Sequence, residues 1–388
     1  MEPISAEQAR RLAMVELGLL RATEVLPERP FEGARPGSPS PIYDVNGEVL
    51  FHRIPLRSRG AEGYADIAGH PSLGGVLLAV ATGAAWDKAA IFAEATAVAK
   101  RSHSQVRSDE VRFVAYSYPK IAVQFLHKGK ETLMLEWSTW APVPPARARD
   151  RGEPPGNFER WSLIEETPSR KRSSNARRLE ARIRVLDAVA DRASGRDVDV
   201  VSSTVWKDLV VVKLTDTREL RYSSRLSDHT PCYEVRGQQT NVWCVAASVQ
   251  MLLGFYRYGY TQVRLAQELG LGTPAAPNGL PYSRDGDVVT VLEDLTGKAL
   301  LSTMNTTPTW AEFRSEIRAN RPLVSFIPGH SRTVAGYTRT LISLVGDLGF
   351  RGLLVYDPWP PNAGVVTRWE NFDVQTYRRT FTAQVTLA

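Results

Sequence analysis

The length, composition and charge of this chain exclude several classes of protein. Its 388 residues suffice for two domains, and an apolar fraction of 43% with a charged fraction of 23% is typical of an ordinary soluble protein. Its two cysteines are too few for a disulfide framework or a four-cysteine zinc site. The net charge of +6 permits an acidic partner, but nucleic-acid binding would require more than this.

Targeting and membrane signals are absent from the sequence pattern. The longest apolar candidate, residues 73–86, is short and contains glycines, which predicts a buried segment rather than a membrane span. The first residues are acidic and lack the basic start and apolar core of a signal peptide. We therefore expect a cytoplasmic protein without a membrane partner, with export by a route other than Sec left open.

Residues 1–140 predict a helix-plus-antiparallel-sheet domain. Ser5 and Gln8 form a capping-box signal for an amphipathic helix over 5–22. Asn46-Gly47 is a strong hairpin turn between two alternating runs of residues 42–54. A second helix is predicted over 86–99, and further strands over 63–68, 111–118, 121–126 and 132–137.

Residues 141–203 are predicted to form a basic linker that contains a helix. Residues 141–155 are rich in Pro and Arg, and a helix is predicted over 173–193. Basic charge near its start opposes the helix dipole, so an anionic partner would compensate. The basic residues are Arg170, Lys171, Arg172, Arg177, Arg178, Arg182 and Arg184. A solvated basic face is the favoured interpretation, because no stacking aromatics are interleaved as in a nucleic-acid binder.

Residues 204–388 are predicted to form an α+β domain. A hairpin over 204–214 and 218–224 leads into it. Helices are predicted over 244–256, 261–269, 287–296 and 309–319, and strands over 322–327, 332–340, 351–356, 364–369 and 379–387. Helices that precede a sheet are typical of α+β folds.

Cys244 is the candidate nucleophile of this domain. It stands at the start of an apolar, Ala-rich helix, whose N-terminus lowers the pKa of a thiol. Gln238, shortly upstream, could donate its amide to the oxyanion that forms when a carbonyl is attacked. Gln239 is an equal candidate from spacing alone. The alternative for Cys244 is a small buried side chain in a core helix.

A base and an orienting group follow in chain order. His330 is the only histidine downstream of Cys244 and follows a strand and a sharp turn, just before a second strand. Asp357 ends a later apolar strand, where it could hold the imidazole in the correct tautomer. The alternatives are a turn residue for His330 and a turn-forming Asp-Pro pair for Asp357.

The runs QQTNVWCVAASVQML, GHSRTVAGY and VYDP together resemble a papain-like cysteine peptidase. The similarity is to the bacterial branch, which includes leader-peptidase domains of bacteriocin exporters and papain-like effector proteases. It implies a papain-like catalytic domain in which Cys244 is the nucleophile, His330 the general base and acid, Asp357 the orienting residue and Gln238 the oxyanion donor. Val245 departs from the family, since many relatives have Trp after the cysteine.

The N-terminal module, with its run IYDVNGEVLFHRIPL, resembles the small prodomains of streptopain-type proteases. This implies a domain that assists the protease or covers its cleft, and an unrelated recognition domain is the alternative. Cys232 has neither an upstream glutamine nor a helix start, so we expect a structural thiol.

The predicted function is hydrolysis of peptide bonds in a protein or peptide substrate through a thioacyl-enzyme, with no metal or cofactor. The N-terminal domain is expected to contact the catalytic cleft and hold the enzyme latent. A transamidase or deamidase that uses the same Cys-His site, and a non-catalytic papain-like scaffold, are the alternatives. Nucleic acid and membranes are not expected partners.

Overall fold

The chain forms two compact units in a computed structural model. The first comprises Met1–Arg147, Glu159–Asp216 and Thr338–Arg351, and the second comprises Ala148–Phe158, Thr217–Tyr337 and Gly352–Ala388. The structure describes residues 2–26, 31–58, 62–82, 86–103, 105–146, 155–156, 158–193, 195–207, 212–220, 234–344, 346–347 and 349–386. Cys232 and the predicted strand end at 221–224 lie outside these ranges. The division into 1–140, 141–203 and 204–388 remains a prediction.

The first unit combines helices with a mostly antiparallel sheet. Its helices are α1 (Ala6–Ala22), α2 (Lys88–Ser102), α3 (Leu163–Glu166), α4 (Ser169–Ala193) and α5 (Val198–Val201). Its strands are β1 (Arg35–Pro36), β2 (Ser40–Asp44), β3 (Val49–Arg57), β4 (Glu62–Ala68), β5 (Leu77–Thr82), β6 (Glu110–Ser117), β7 (Lys120–His127) and β8 (Lys130–Glu136). The order is β5-β4-β3-β2-β6-β7-β8, with β1 beside β3, and only β2 and β6 pair in parallel.

Several local predictions for this unit are confirmed. Ser5 caps α1 by accepting a hydrogen bond from the Gln8 amide at 3.2 Å. The predicted hairpin is the β2–β3 pair, and Gly47 in its turn has φ of 92°, which a glycine adopts without strain. The sequence predicts a buried segment over 73–86 but no strand at β5, because apolar and polar residues do not alternate in its run of Leu, Ala and Val.

The basic helix α4 uses part of its charge inside this unit. Arg182 donates two hydrogen bonds to the carboxylate of Glu16 in α1, at 2.8 and 2.7 Å. Arg178 donates from Nε to the Gly74 carbonyl at 2.7 Å. Glu16 is almost fully buried, so its pairing with Arg182 offsets the cost of removing a charge from water. These two arginines therefore hold the unit together.

The predicted strand over 204–214 is wrong at its start. Ser202–Trp206 is a turn of π-helix that continues from α5, and Val212–Glu219 forms a strand, β9, while residues 208–211 lie outside the described ranges. Trp206 is fully buried and its indole Nε1 donates to the Val15 carbonyl at 2.8 Å. This contact with α1 overrides the local alternation that favoured a strand.

The second unit has the mixed α+β composition that the sequence predicts. Its helices are α6 (Cys244–Phe255), α7 (Gln262–Glu268), α8 (Asp287–Leu295) and α9 (Trp310–Arg318). Its strands are β10 (Gly272–Thr273), β11 (Ala276–Pro277), β12 (Leu300–Asn305), β13 (Leu323–Ile327), β14 (His330–Leu344), β16 (Phe350–Asp357), β17 (Val365–Asn371) and β18 (Arg379–Val385). The segment Thr338–Arg351, which belongs to the first unit, holds the end of β14, the short strand β15 (Gly346–Asp347) and the start of β16. The main sheet runs β12-β18-β13-β14-β16-β17, and β12 was not predicted.

Helix α6 lies in the core of the second unit. Val245, Val249 and Leu252 are buried against residues of α7, α8 and the sheet, as the apolar pattern predicts. Thr309 and Glu312 form the predicted capping box of α9. Among the helices that the structure describes, none has both the length and the apolar character needed to cross a membrane.

A buried carboxylate, Asp44, joins β2 to the start of α3. Its Oδ1 accepts from the Leu163 amide at 3.0 Å, and its Oδ2 accepts from the Ser162 hydroxyl. Burial raises the pKa of Asp44 to about 6, although these hydrogen bonds oppose the shift. Asp44 is therefore protonated in the folded chain at pH values where the unfolded chain has released its proton.

Replacement of Asp44 by asparagine should remove one component of the pH dependence of stability. The unfolded chain releases this proton near the ordinary pKa of 3.8, while the folded chain keeps it to about pH 6. The folded state binds more protons in that window, so wild-type stability falls as pH rises through it, by up to about 3 kcal/mol. Denaturant titrations of both proteins at about pH 4 and pH 7 measure this. Parallel pH dependence in the two proteins would contradict the assignment.

Candidate active site

His330 and Asp357 are brought together by two neighbouring strands. A two-residue turn, Pro328-Gly329, joins β13 to β14 and pairs Ile327 with His330, so that His330 begins β14. Asp357 ends the adjacent strand β16. The His330 Nε2 lies 2.6 Å from Asp357 Oδ1, and each residue is only 3% exposed.

Asp357 is held as a carboxylate in this buried place. Burial by itself would raise its pKa, but the charge and hydrogen bond of His330 hold the pKa of Asp357 below its usual value. Arg332 and the Trp359 amide, which donates to Oδ1 at 2.8 Å, act in the same direction. The bond to Asp357 engages the ring nitrogen Nε2, and the second ring nitrogen of an imidazole, Nδ1, can donate or accept a proton according to the tautomer.

Cys244 is the first residue of α6 and is 1% exposed. Trp243 occupies the N-cap position without a side-chain cap, and its indole Nε1 donates to the Leu271 carbonyl at 3.0 Å. The indole fixes the entry to the helix. The backbone amides of the first turn have no intrahelical partner, and they place partial positive charge beside the sulfur.

The Tyr282 hydroxyl is hydrogen-bonded to the turn that precedes His330, and the sequence did not predict this residue as part of the site. Its hydroxyl accepts from the Gly329 amide at 2.7 Å and donates to the Pro155 carbonyl at 2.9 Å. Burial raises the pKa of Tyr282 to about 12, although the hydrogen bond from Gly329 and the charge of Arg378 oppose the shift. The phenol is therefore neutral near pH 7. It lies in a short 3-10 turn, which carries no distinctive sequence signal.

Gln238 is buried beside the loop that follows Asp357, whereas Gln239 is exposed. The Gln238 amide donates to the Pro358 carbonyl at 2.9 Å, and its carbonyl accepts from the Asn362 amide at 2.8 Å. The side-chain Nε2 donates to the Thr240 carbonyl at 2.6 Å, which uses one of its two N–H groups. Of the two candidate glutamines, only Gln238 is thus attached to the Asp357 loop.

This arrangement lies in a segment with known relatives. Residues 232–386 match the Peptidase_C39 like family. The match confirms, for these residues, the resemblance to papain-like cysteine peptidases predicted from the sequence. The family match supports a peptidase activity for this segment. Val245, at the position where many relatives have Trp, is 3% exposed in the core of the second unit.

Two solved structures resemble the chain faintly. A double-glycine-motif protease from an AMS/PCAT transporter, solved with a leader peptide, is 12% identical with a TM-score of 0.27, covering 44% of this chain and 99% of that one. UfSP from C. elegans is 13% identical with a TM-score of 0.24, covering 45% of this chain and 38% of that one. Neither likeness is sufficient to assign a property. No curated protein was found to match the chain.

Gly237 allows the Gln238 segment of the Peptidase_C39-like region to approach the loop closely. A Cβ at Gly237 would lie 2.3 Å from the Ala363 nitrogen and 2.5 Å from the Asn362 carbonyl carbon. Both are backbone atoms, which cannot yield as a side chain can. Any other residue at this position must therefore push Gln238 and the loop apart.

Replacement of Gly237 by alanine should destabilise the protein by about 1–3 kcal/mol, the usual cost of overpacking. Gly259 is exposed and a Cβ there would meet nothing within 4 Å, so Gly259→Ala is the matched control. Thermal or denaturant unfolding of both variants measures the difference. Equal stability of the two variants would show that the 237–238 segment is not packed against this loop.

Proposed function

We propose that the chain is a cysteine peptidase that uses Cys244, His330 and Asp357, with Gln238 as the oxyanion donor. The observation that carries this proposal is the buried bond of 2.6 Å between His330 Nε2 and Asp357 Oδ1. It occurs within the family match that also includes Cys244 at the start of α6. An ionised carboxylate on one ring nitrogen makes the other nitrogen a better base.

The chemistry needs only protein groups and water. His330 Nδ1 takes the proton from the Cys244 thiol, and the sulfur attacks the carbonyl carbon of the scissile peptide bond. The oxyanion receives hydrogen bonds from the second Nε2 N–H of Gln238 and from the Cys244 backbone amide. His330 then protonates the leaving amine as the C–N bond breaks, which leaves a thioester. His330 next removes a proton from water, whose oxygen attacks the thioester to release the acid and restore the thiol.

Latency is the second part of the proposal. Two residues in the first part of the predicted linker contact groups beside the candidate site within the second unit. The Pro155 carbonyl accepts from the Tyr282 hydroxyl, and the Phe158 ring lies 6.5 Å from the Trp359 ring. Tyr282 binds the amide before His330, and Trp359 binds Asp357. A linker held at both places would restrict access of a substrate to the cleft.

Labelling and turnover should both depend on Cys244. A thiol-directed irreversible peptide probe should label wild type and Cys232→Ala but not Cys244→Ala. Hydrolysis of labelled casein should fall by at least about 1000-fold in Cys244→Ala, since no residual nucleophile remains. Mass spectrometry of the products with and without an added amine separates hydrolysis from transamidation. An unlabelled Cys244 in folded protein, with unchanged turnover in Cys244→Ala, would contradict the proposal.

Cutting the chain within residues 141–154, at the start of the window from about Ala141 to Thr230, should raise activity several-fold, because the contacts of Pro155 and Phe158 would no longer be tied to the N-terminal residues. A specific protease site inserted in residues 141–154 allows the same preparation to be assayed before and after cleavage. Uncut wild type treated with that protease is the control. Equal activity of cut and uncut protein would exclude latency by the linker while leaving the triad proposal intact.

A further inference from the structure

Gln262, the first residue of α7, makes an unusual set of contacts with the Gln238 segment. Its Nε2 donates to the Gly237 carbonyl at 2.8 Å, and its Oε1 accepts from the Gln239 amide at 2.9 Å. The side-chain amide therefore pairs with the residues on both sides of Gln238. Gln262 itself is 4% exposed, so the side-chain ends of these part-buried bonds are shielded from water, in surroundings where hydrogen bonds are electrostatically stronger.

The backbone around Gln238 is thus held from two directions. Gln262 pairs with Gly237 and Gln239, while Pro358 and Asn362 pair with the amide and carbonyl of Gln238 itself. These four contacts satisfy backbone N–H and C=O groups of residues 237–239, as hydrogen bonds to two neighbouring strands would, although this described segment is not itself a strand. The position of the Gln238 side chain follows from this double pairing.

Gln262 is itself fixed to the helix that carries Cys244. Its Nε2 also donates to Oε1 of Gln250 in α6 at 3.1 Å, and Gln250 Nε2 donates to the Tyr260 carbonyl at 2.9 Å. Both N–H groups of Gln262 and one lone pair of its oxygen are then in use. A chain of two amides connects α6 to the segment that contains Gln238.

We propose that Gln262 is a positioning residue that sets the oxyanion donor Gln238 relative to Cys244. This inference rests on the proposed function and extends it. Gln262 does not touch the substrate; it acts through the backbone on either side of Gln238. Its loss frees the Gly237 carbonyl and the Gln239 amide, so the Gln238 side chain is displaced while the thiol and His330 keep their contacts. A displacement of the order of 1 Å at a catalytic group costs about 100-fold in rate.

Gln262→Ala in the full chain tests this proposal, with Gln267→Ala, an exposed glutamine of the same helix, as the matched control. Hydrolysis of labelled casein should fall about 10- to 100-fold in Gln262→Ala and remain unchanged in Gln267→Ala. Alkylation of Cys244 by iodoacetamide forms no oxyanion, so its rate and pH profile should match wild type in both variants. Gln262→Glu keeps the acceptor for the Gln239 amide but places an oxygen against the Gly237 carbonyl and Gln250 Oε1, so its hydrolysis rate should be no higher than that of Gln262→Ala.

Amide hydrogen exchange supplies a readout that does not depend on activity. Exchange of the 237–240 backbone should accelerate in Gln262→Ala and not in Gln267→Ala. Unchanged exchange and hydrolysis in Gln262→Ala would overturn the proposal. So would a fall in the alkylation rate as large as the fall in hydrolysis, because that places the effect on the nucleophile or the fold. Absence of hydrolysis by wild type refutes the proposed function instead, and the positioning of the segment is then judged from hydrogen exchange.

Discussion

The second unit is organised around the burial of one carboxylate. Asp357 is 3% exposed, and an isolated charge in such a place would cost several kcal/mol. His330, the Trp359 amide and the charge of Arg332 offset that cost. Arg332 is in turn buried, and Glu370 on β17 binds it through both carboxylate oxygens. The four charged or titratable groups form a continuous series in which each compensates the next.

This series explains why His330 and Asp357, the proposed acid-base pair, are carried by strands rather than loops. His330 and Arg332 are two residues apart on β14, while Asp357 and Glu370 belong to β16 and β17. The hydrogen bonds of the sheet fix the spacing between these side chains, so little entropy is lost when the pairs form. Cys244, the proposed nucleophile, is held differently, because α6 is anchored by apolar packing against α7, α8 and the sheet. A rigid sheet and a buried helix thus supply the two halves of the proposed chemistry.

Local signals in the sequence determined most of what could be predicted. The cap at Ser5, the turn at Asn46-Gly47, the capping box of Thr309 and the turn before His330 all depend on interactions within a few residues. The amphipathic helices and alternating strands have the same origin, since burial of one face imposes the period. Where interactions are this short, the sequence carries the information directly.

Interactions between distant residues account for what the sequence did not reveal. Spacing could not separate Gln238 from Gln239, because the distinction arises from contacts with Pro358 and Asn362. The alternating pattern at 204–206 predicted a strand, but burial of Trp206 against α1 accompanies a helical turn there instead. Tyr282 and Gln262 have no motif at all, since each acts on a segment far away in the chain. Their partners become visible only after folding.

The loop from Asp357 to Gly364 has a dual attachment. At one end it carries the carboxylate that orients His330, and along its length it holds the backbone of Gln238. Gly364, with φ of 68°, lets the loop fold back until a Cβ there would stand 2.9 Å from the Asp357 carbonyl oxygen. The position of the Asp357 carboxylate and the position of the Gln238 backbone therefore both depend on this loop. Under the proposed mechanism, any ligand or covalent change that shifts this loop would alter proton transfer and oxyanion binding together, so a substitution in the loop would change both steps at once.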